Sequence, residues 1–366
     1  MKAATAYINL NALKHNFNVI REIAPNSRTW SAIKANGYGH GLLPVAEALS
    51  SHTNGFGVAR LEEAIMLREG GITHPLLLLE GFYAADDLPV LQKNNLQTAV
   101  HCIEQLSALE NAVLAHPLTV WLKIDTGMHR LGVRPENVKD FITRLNVCSN
   151  VAKPLHFMSH FGCADALTEP MTQDQISLFK ELITDQDGDG SLAATSGILF
   201  WPNSHFDWIR PGIGLYGISP MADRVGADLG LQPVMTLSSS IIAIREVKKG
   251  ESVGYGARWT TDRNTKVGVV AIGYGDGYPR AAPDGTPVMV NGRRVPLVGR
   301  ISMDMLTIDL GSDTVDRVGD DVVLWGKDLP VEDVARYVGT IGHELVTNLS
   351  SRVNLIYYEA GCNLRA

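Results

Sequence analysis

Thr29-Trp-Ser-Ala-Ile-Lys34 is a short apolar run closed by a charge; Ala-Asn-Gly-Tyr-Gly-His-Gly41 and an amphipathic stretch at 42–51 follow it. A run without clean alternation reads as a strand buried on both faces, and a helical pattern after it completes a βα unit. The unit recurs. Candidate strands fall at 29–34, 55–60, 75–80, 96–101, 118–124, 154–160, 191–195 and 207–213, and helical patterns at 42–51, 61–69, 84–93, 103–115, 136–147 and 173–184. Eight strands with seven interposed segments predict an α/β chain with an N-terminal (β/α)8 TIM-type barrel.

After Tyr216 the pattern changes. Residues 221–232 show no period. From Pro233 onward Val, Thr, Ile and Gly dominate, with turn signals at Lys249-Gly250, Asp276-Gly277, Asp284-Gly285, Asn291-Gly292 and Val318-Gly319-Asp320. Short strands at such spacing predict a C-terminal mostly-β domain with one helix near 331–337. The expected division is a barrel over 1–230 and a β domain over 231–366.

Net charge is −7, which argues against a nucleic-acid partner. Hydrophobic residues make up 45%, enough for a large core, yet no run approaches the ~18 apolar residues of a membrane span. Asn9, Asn11 and Lys14 interrupt the N-terminus before a signal-peptide h-region builds. Cys102, Cys148, Cys163 and Cys362 form no C-x-x-C pair, so neither a metal site nor a disulfide framework is expected, and a cytoplasmic setting is.

In such barrels, side chains at the C-terminal strand ends face the active site. Those ends read Lys34, Arg60, Glu80, His101, Lys123, His160, Thr195 and Arg210, a polar set for residues closing apolar runs. A lysine at the wet end of a buried strand can lose its charge through desolvation and serve as a Schiff-base amine. The loops opening at Thr195-Ser-Gly197 and Arg210-Pro-Gly-Ile-Gly214 offer a hydroxyl and glycine N–H groups suited to a phosphate. Lysine on the first strand and a phosphate cup after the last two suit pyridoxal phosphate.

Those residues resemble the alanine racemase family. Lys34-Ala-Asn-Gly-Tyr-Gly-His-Gly41 resembles its cofactor attachment motif, and six further stretches follow in the family's order. They are 123–134 (KIDTGMHRLGVR), 210–217 (RPGIGLYG), 253–256 (VGYG), 273–280 (GYGDGYPR), 299–304 (GRISMD) and 351–357 (SRVNLIY). The resemblance implies a pyridoxal 5′-phosphate-dependent amino-acid racemase interconverting L-alanine and D-alanine by two-base proton transfer. It would supply D-alanine for peptidoglycan or feed alanine catabolism. It also implies a head-to-tail homodimer in which the β domain of one subunit covers the barrel mouth of the other.

By the same resemblance, Lys34 carries the cofactor and handles the D-enantiomer's proton, and Tyr255 from the partner handles the L-enantiomer's. Arg210 meets the pyridine nitrogen and His160 packs on or beside the ring. Tyr38, Thr195, Gly212, Ile213 and Tyr357 hold the phosphate. Arg130 and the backbone of Met303 meet the substrate carboxylate, with Asp304 close by. Lys123 is implied as a carbamylated lysine orienting Arg130; a plain Lys123–Asp125 contact is the other reading. Gly37 replaces the family's usual alanine, Thr195 its common serine, and Phe161-Gly-Cys163 departs from its Phe-Ala-x run. Rival readings are a non-catalytic pyridoxal-phosphate homeostasis protein, a decarboxylase of the same fold, and a racemase of broader specificity. The first usually lacks the β domain, the second needs an acid where Arg210 stands, and serine differs too little from alanine to be strictly excluded.

Overall fold

The computed structural model describes residues 2–359, so Cys362 and the end of the expected β domain lie outside the described residues. The chain divides into two compact units, one of residues 17–37 and 42–215, the other of residues up to 16, 38–41 and 216 onward. The opening strand β1 (Thr5–Asn9) therefore belongs with the later unit, although the sequence reading places residues 1–16 in the barrel, and the changeover falls at Leu215/Tyr216 rather than near 230. A helix over Leu10–Ile23, absent from that reading, begins where Asn9 Oδ1 accepts the N–H groups of Asn11 and Ala12, an N-cap the sequence does carry.

The barrel strands are β2 (Arg28–Ala32), β3 (Gly55–Val58), β4 (Leu76–Leu78), β5 (Leu96–Val100), β6 (Val120–Lys123), β7 (His156–Met158), β8 (Gly190–Ala194) and β9 (Trp208–Arg210); each overlaps its expected stretch, with β2 and β8 starting one residue earlier. They close in sequence order into a parallel barrel. The stretch at 154–160 begins its strand only at His156, because Pro154 has no N–H to give a ladder. Trp30, Leu77, Ala99, Trp121, Met158 and Trp208 fill the interior from six different strands. The Trp30 and Trp208 rings stack at 4.5 Å, and Trp121 meets both edge-on. Such pairs add about 0.5–1.5 kcal/mol each beyond the area they bury. A filled interior leaves ligand chemistry to the rim.

The second unit holds β10 (Met235–Val247), β11 (Ser252–Val253), β12 (Trp259–Thr260), β13 (Thr265–Val270), β14 (Pro287–Val290), β15 (Arg293–Pro296), β16 (Leu306–Asp309), β17 (Asp321–Trp325) and β18 (Asn354–Tyr358). Its main sheet runs β15-β14-β17-β10-β1-β18, with β13 on β10 and β16 on β13. Every pair is antiparallel except β1–β18. Asn291 and Gly292 join β14 to β15 with φ of +47° and +78°, the two-residue turn that matches strand twist. The expected helix runs Val331–Val338 and stops at Gly339, φ +80°; a further helix, Gly342–Thr347, follows. Among the described residues no helix is long and apolar enough to cross a membrane.

Candidate active site

Lys34 stands two residues beyond β2, at the C-terminal rim. The backbone after it takes φ/ψ of 52/52°, 56/47° and 60/44° at Ala35, Asn36 and Gly37, and Tyr38 has φ +51°. This is a turn of left-handed helix, which costs about 1–2 kcal/mol per non-glycine residue. Side chains from elsewhere in the barrel unit hold it. Glu63 Oε1 accepts the Ala35 N–H at 2.6 Å while its Oε2 takes those of Ala59 and Arg60. Asn36 Oδ1 accepts the Leu42 N–H, and the Gly37 N–H reaches Ile33 O. Asn36 and Gly37 signal left-handed backbone; Ala35 does not, and no local pattern marks Glu63 as its partner.

Desolvation pulls the Lys34 amine below the ordinary lysine range; Glu80 opposes this, Arg130 adds to it, Glu63 opposes and Arg210 adds. The amine lies 4.0 Å from Glu80 Oε1. Lys123, ending β6, is pushed further, to about 7, by desolvation first and then by Arg210 and Arg130. Its Nζ donates to Leu79 O at 2.9 Å. Asp125 is engaged elsewhere: its carboxylate accepts the N–H groups of Gly127 and His129 and meets His129 Nδ1 at 2.8 Å and Arg134 Nη1 at 3.3 Å. These bonds overrule the burial that would raise it and hold the carboxyl at about 2. They fold the 125–134 loop that presents Arg130, which is exposed in the single chain.

Arg210, ending β9, is buried. It donates to Ser191 Oγ at 2.6 Å, Ser159 O at 2.5 Å and Leu192 O at 3.1 Å. Its Nη2 also reaches His160 Nδ1 at 3.3 Å. A guanidinium only donates, so that nitrogen is the acceptor and His160 is neutral. Desolvation, then the Arg210 charge, drive the imidazole well below its ordinary range. The Thr195 hydroxyl accepts the N–H groups of Gly212 at 3.0 Å and Gly214 at 3.3 Å, which leaves its own proton to donate. Ile213 is buried beside them. Lys34, Lys123, His160, Thr195 and Arg210 thus stand at the C-terminal strand ends of the barrel, and Ser191, within β8, anchors Arg210 from inside the wall.

In the second unit, Tyr38 is stacked on Tyr216 at 4.8 Å, and burial raises its phenol to about 12. Gly41, φ +96°, lies so close to the Tyr357 hydroxyl that a Cβ there would sit 2.0 Å from it. Tyr255 projects between β11 and β12, flanked by Gly254 at φ +79° and Gly256 at φ +73°, and is 70% exposed. Met303 and Asp304 are also exposed. Arg352, unassigned in the sequence, binds Asp304 Oδ1 at 2.8 Å and Asp276 Oδ1 at 3.2 Å. Met303 O accepts the Gly275 N–H. One arginine so ties together three of the sequence stretches, 273–280, 299–304 and 351–357.

A closed parallel barrel with desolvated lysines, a buried arginine and a hydroxyl–glycine cup at its rim, followed by a β unit, defines a barrel enzyme of amine chemistry. The chain matches the models "Alanine racemase, N-terminal domain" over residues 8–220 and "Alanine racemase, C-terminal domain" over residues 234–357. It is 62% identical to the alanine racemase of Vibrio atlanticus over 98% of this chain and 99% of that one, and 61% identical to that of Vibrio cholerae over 99% and 100%. The biosynthetic alanine racemase of Pseudomonas aeruginosa superposes with a TM-score of 0.95 at 44% identity, covering 98% of this chain and 100% of that one. That of Acinetobacter baumannii gives 0.91 at 38%, with the same coverage. The chain belongs to the alanine racemase family.

Proposed function

We propose that this chain is a pyridoxal 5′-phosphate-dependent racemase that interconverts L-alanine and D-alanine in the cytoplasm as a homodimer with shared active sites. The observation that carries this reading is the grouping at one barrel rim of the Lys34 amine, the buried Arg210 donor against His160 and the Thr195–Gly212–Gly214 cup. Donor chemistry fits the cofactor. Arg210, a buried donor, suits an unprotonated ring nitrogen, neutral His160 suits the ring, and the spare Thr195 proton suits a phosphate oxygen. Gly212, Ile213, Tyr38 and Tyr357 join Thr195 in the phosphate role, as the family implies. The bound cofactor supplies an electron sink that makes the substrate's α-proton removable.

The chain's own groups do the rest. Lys34 Nζ takes or returns the proton on one face of the substrate carbon, and the Tyr255 phenol of the partner subunit serves the other. The exposure of Tyr255, Met303 and Arg130 in the single chain favours a second copy that covers them. Arg130 and the Met303 backbone hold the substrate carboxylate, with Asp304 beside them. Neutral Lys123 adds carbon dioxide at Nζ with loss of one proton, and the resulting anion orients Arg130.

A visible spectrum of the purified protein with a chiral assay on L-alanine tests this. Lys34→Ala is expected to lose both the lysine-bound cofactor absorbance and turnover; retention of both overturns the assignment. Tyr255→Phe is expected to make the two directions respond unequally to deuterium at the α-carbon, and unchanged kinetics both ways would remove Tyr255.

A further inference from the structure

Glu80 closes the apolar run of β4, and no step above uses it. Its carboxylate is nonetheless built into the rim. Oε1 lies 4.0 Å from Lys34 Nζ. Oε2 accepts the Tyr83 hydroxyl at 3.0 Å, and the Arg60 guanidinium sits 5.1 Å from the Tyr83 ring centroid. Backbone contacts hold the segment on either side. Lys123 Nζ donates to Leu79 O, and Gln105 Nε2 donates to Phe82 O at 2.9 Å.

The charges acting on Lys34 are Glu80 and Glu63, which favour its protonated form, and Arg130 and Arg210, which disfavour it. Lys123, under the same two arginines, and His160 share this rim. Glu63 has both oxygens committed to backbone N–H groups of Ala35, Ala59 and Arg60. Among the described residues, Glu80 is the carboxylate within ion-pair range of the amine.

We propose that Glu80 is a positioning residue for Lys34: it fixes the amine at the rim and keeps enough proton affinity there for one lysine both to accept and to return a proton. A group that works in both directions needs an affinity near the working pH. Burial and two arginines alone would leave an amine that accepts a proton poorly and holds it worse. The inference rests on the reading of Lys34 as the reacting amine.

The test is competitive labelling of full-length, cofactor-freed protein with trace acetic anhydride across a pH series, read at Lys34 by mass spectrometry. In Glu80→Gln the midpoint of Lys34 labelling is expected to move down by roughly one pH unit. Glu80→Asp, which keeps the charge but withdraws it by one methylene, is expected to move it less in the same direction, and serves alone if Glu80→Gln fails to fold. A purely structural Glu80 would lower thermal stability without moving the midpoint. Added pyridoxal 5′-phosphate is expected to block labelling of Lys34 in the unmutated protein. A block with unmoved variant midpoints overturns the role of Glu80 alone; no block overturns the Lys34 reading and the proposal with it.

Discussion

The Nη1 of Arg210 donates to the Ser191 hydroxyl at 2.6 Å, so the end of β9 is locked to the neighbouring strand β8 inside the barrel wall. The same guanidinium satisfies Ser159 O and Leu192 O. Arg210→Leu would strand these buried acceptors, each at about 1–3 kcal/mol. The expected result is a loss of several kcal/mol in urea unfolding of the cofactor-free protein, besides lost turnover. Ser191→Ala should cost less, about 1–3 kcal/mol, since it leaves Arg210 Nη1 and Trp208 O without the hydroxyl while the bonds to Ser159 O and Leu192 O remain.

Lys123 makes stability depend on pH. Its folded affinity, about 7, lies below the unfolded value of 10.5 because of desolvation first and the Arg210 and Arg130 charges next. Between these values the unfolded chain binds a proton that the folded chain does not. Stability should therefore rise with pH across that window, at up to about 1.4 kcal/mol per unit, and be lowest below about pH 7. Unfolding in carbon dioxide-free buffers should show this slope, and Lys123→Met should flatten it.

Asp125 works the other way. Its folded value of about 2 lies below the ordinary 3.8, so its contribution is present above pH 4 and lost as pH falls toward 2. Its charged hydrogen bonds are worth about 1.5–3 kcal/mol each at most. Asp125→Asn should loosen the 125–134 loop and raise KM for alanine more than it lowers kcat, because Arg130 rides on that loop. Steady-state kinetics at saturating cofactor check this, and an unchanged KM would disconnect the loop from substrate binding.

Two glycines near Lys34 should differ sharply. At Gly37, φ +60°, an added Cβ meets Val45 Cγ2 at 3.3 Å, so Gly37→Ala should cost about 1 kcal/mol and leave cofactor affinity nearly intact. At Gly41 the Cβ would collide with the Tyr357 hydroxyl, which must move. Gly41→Ala should lower thermal stability markedly and weaken pyridoxal phosphate binding, read by absorbance titration.

Local pattern determined much of this chain. Runs buried on both faces mark β2 to β9, because a parallel sheet covered by helices admits no polar alternation. Asn291-Gly292 marks its hairpin, because few other pairs tolerate two positive φ angles in succession. The strand-end residues Lys34, Lys123, His160, Thr195 and Arg210 were legible as a rim, because barrel geometry puts such positions on one face. Tertiary structure alone decided the rest. Thr5–Asn9 pairs with β10 and with β18, partners more than 200 residues away, a choice made by long-range burial that no local period encodes. The left-handed turn at Ala35 exists because Glu63 reaches its N–H, and Glu80 faces Lys34 because the barrel closes. A side chain's neighbours across strands depend on register and closure, and these are properties of the whole sheet rather than of any window of sequence.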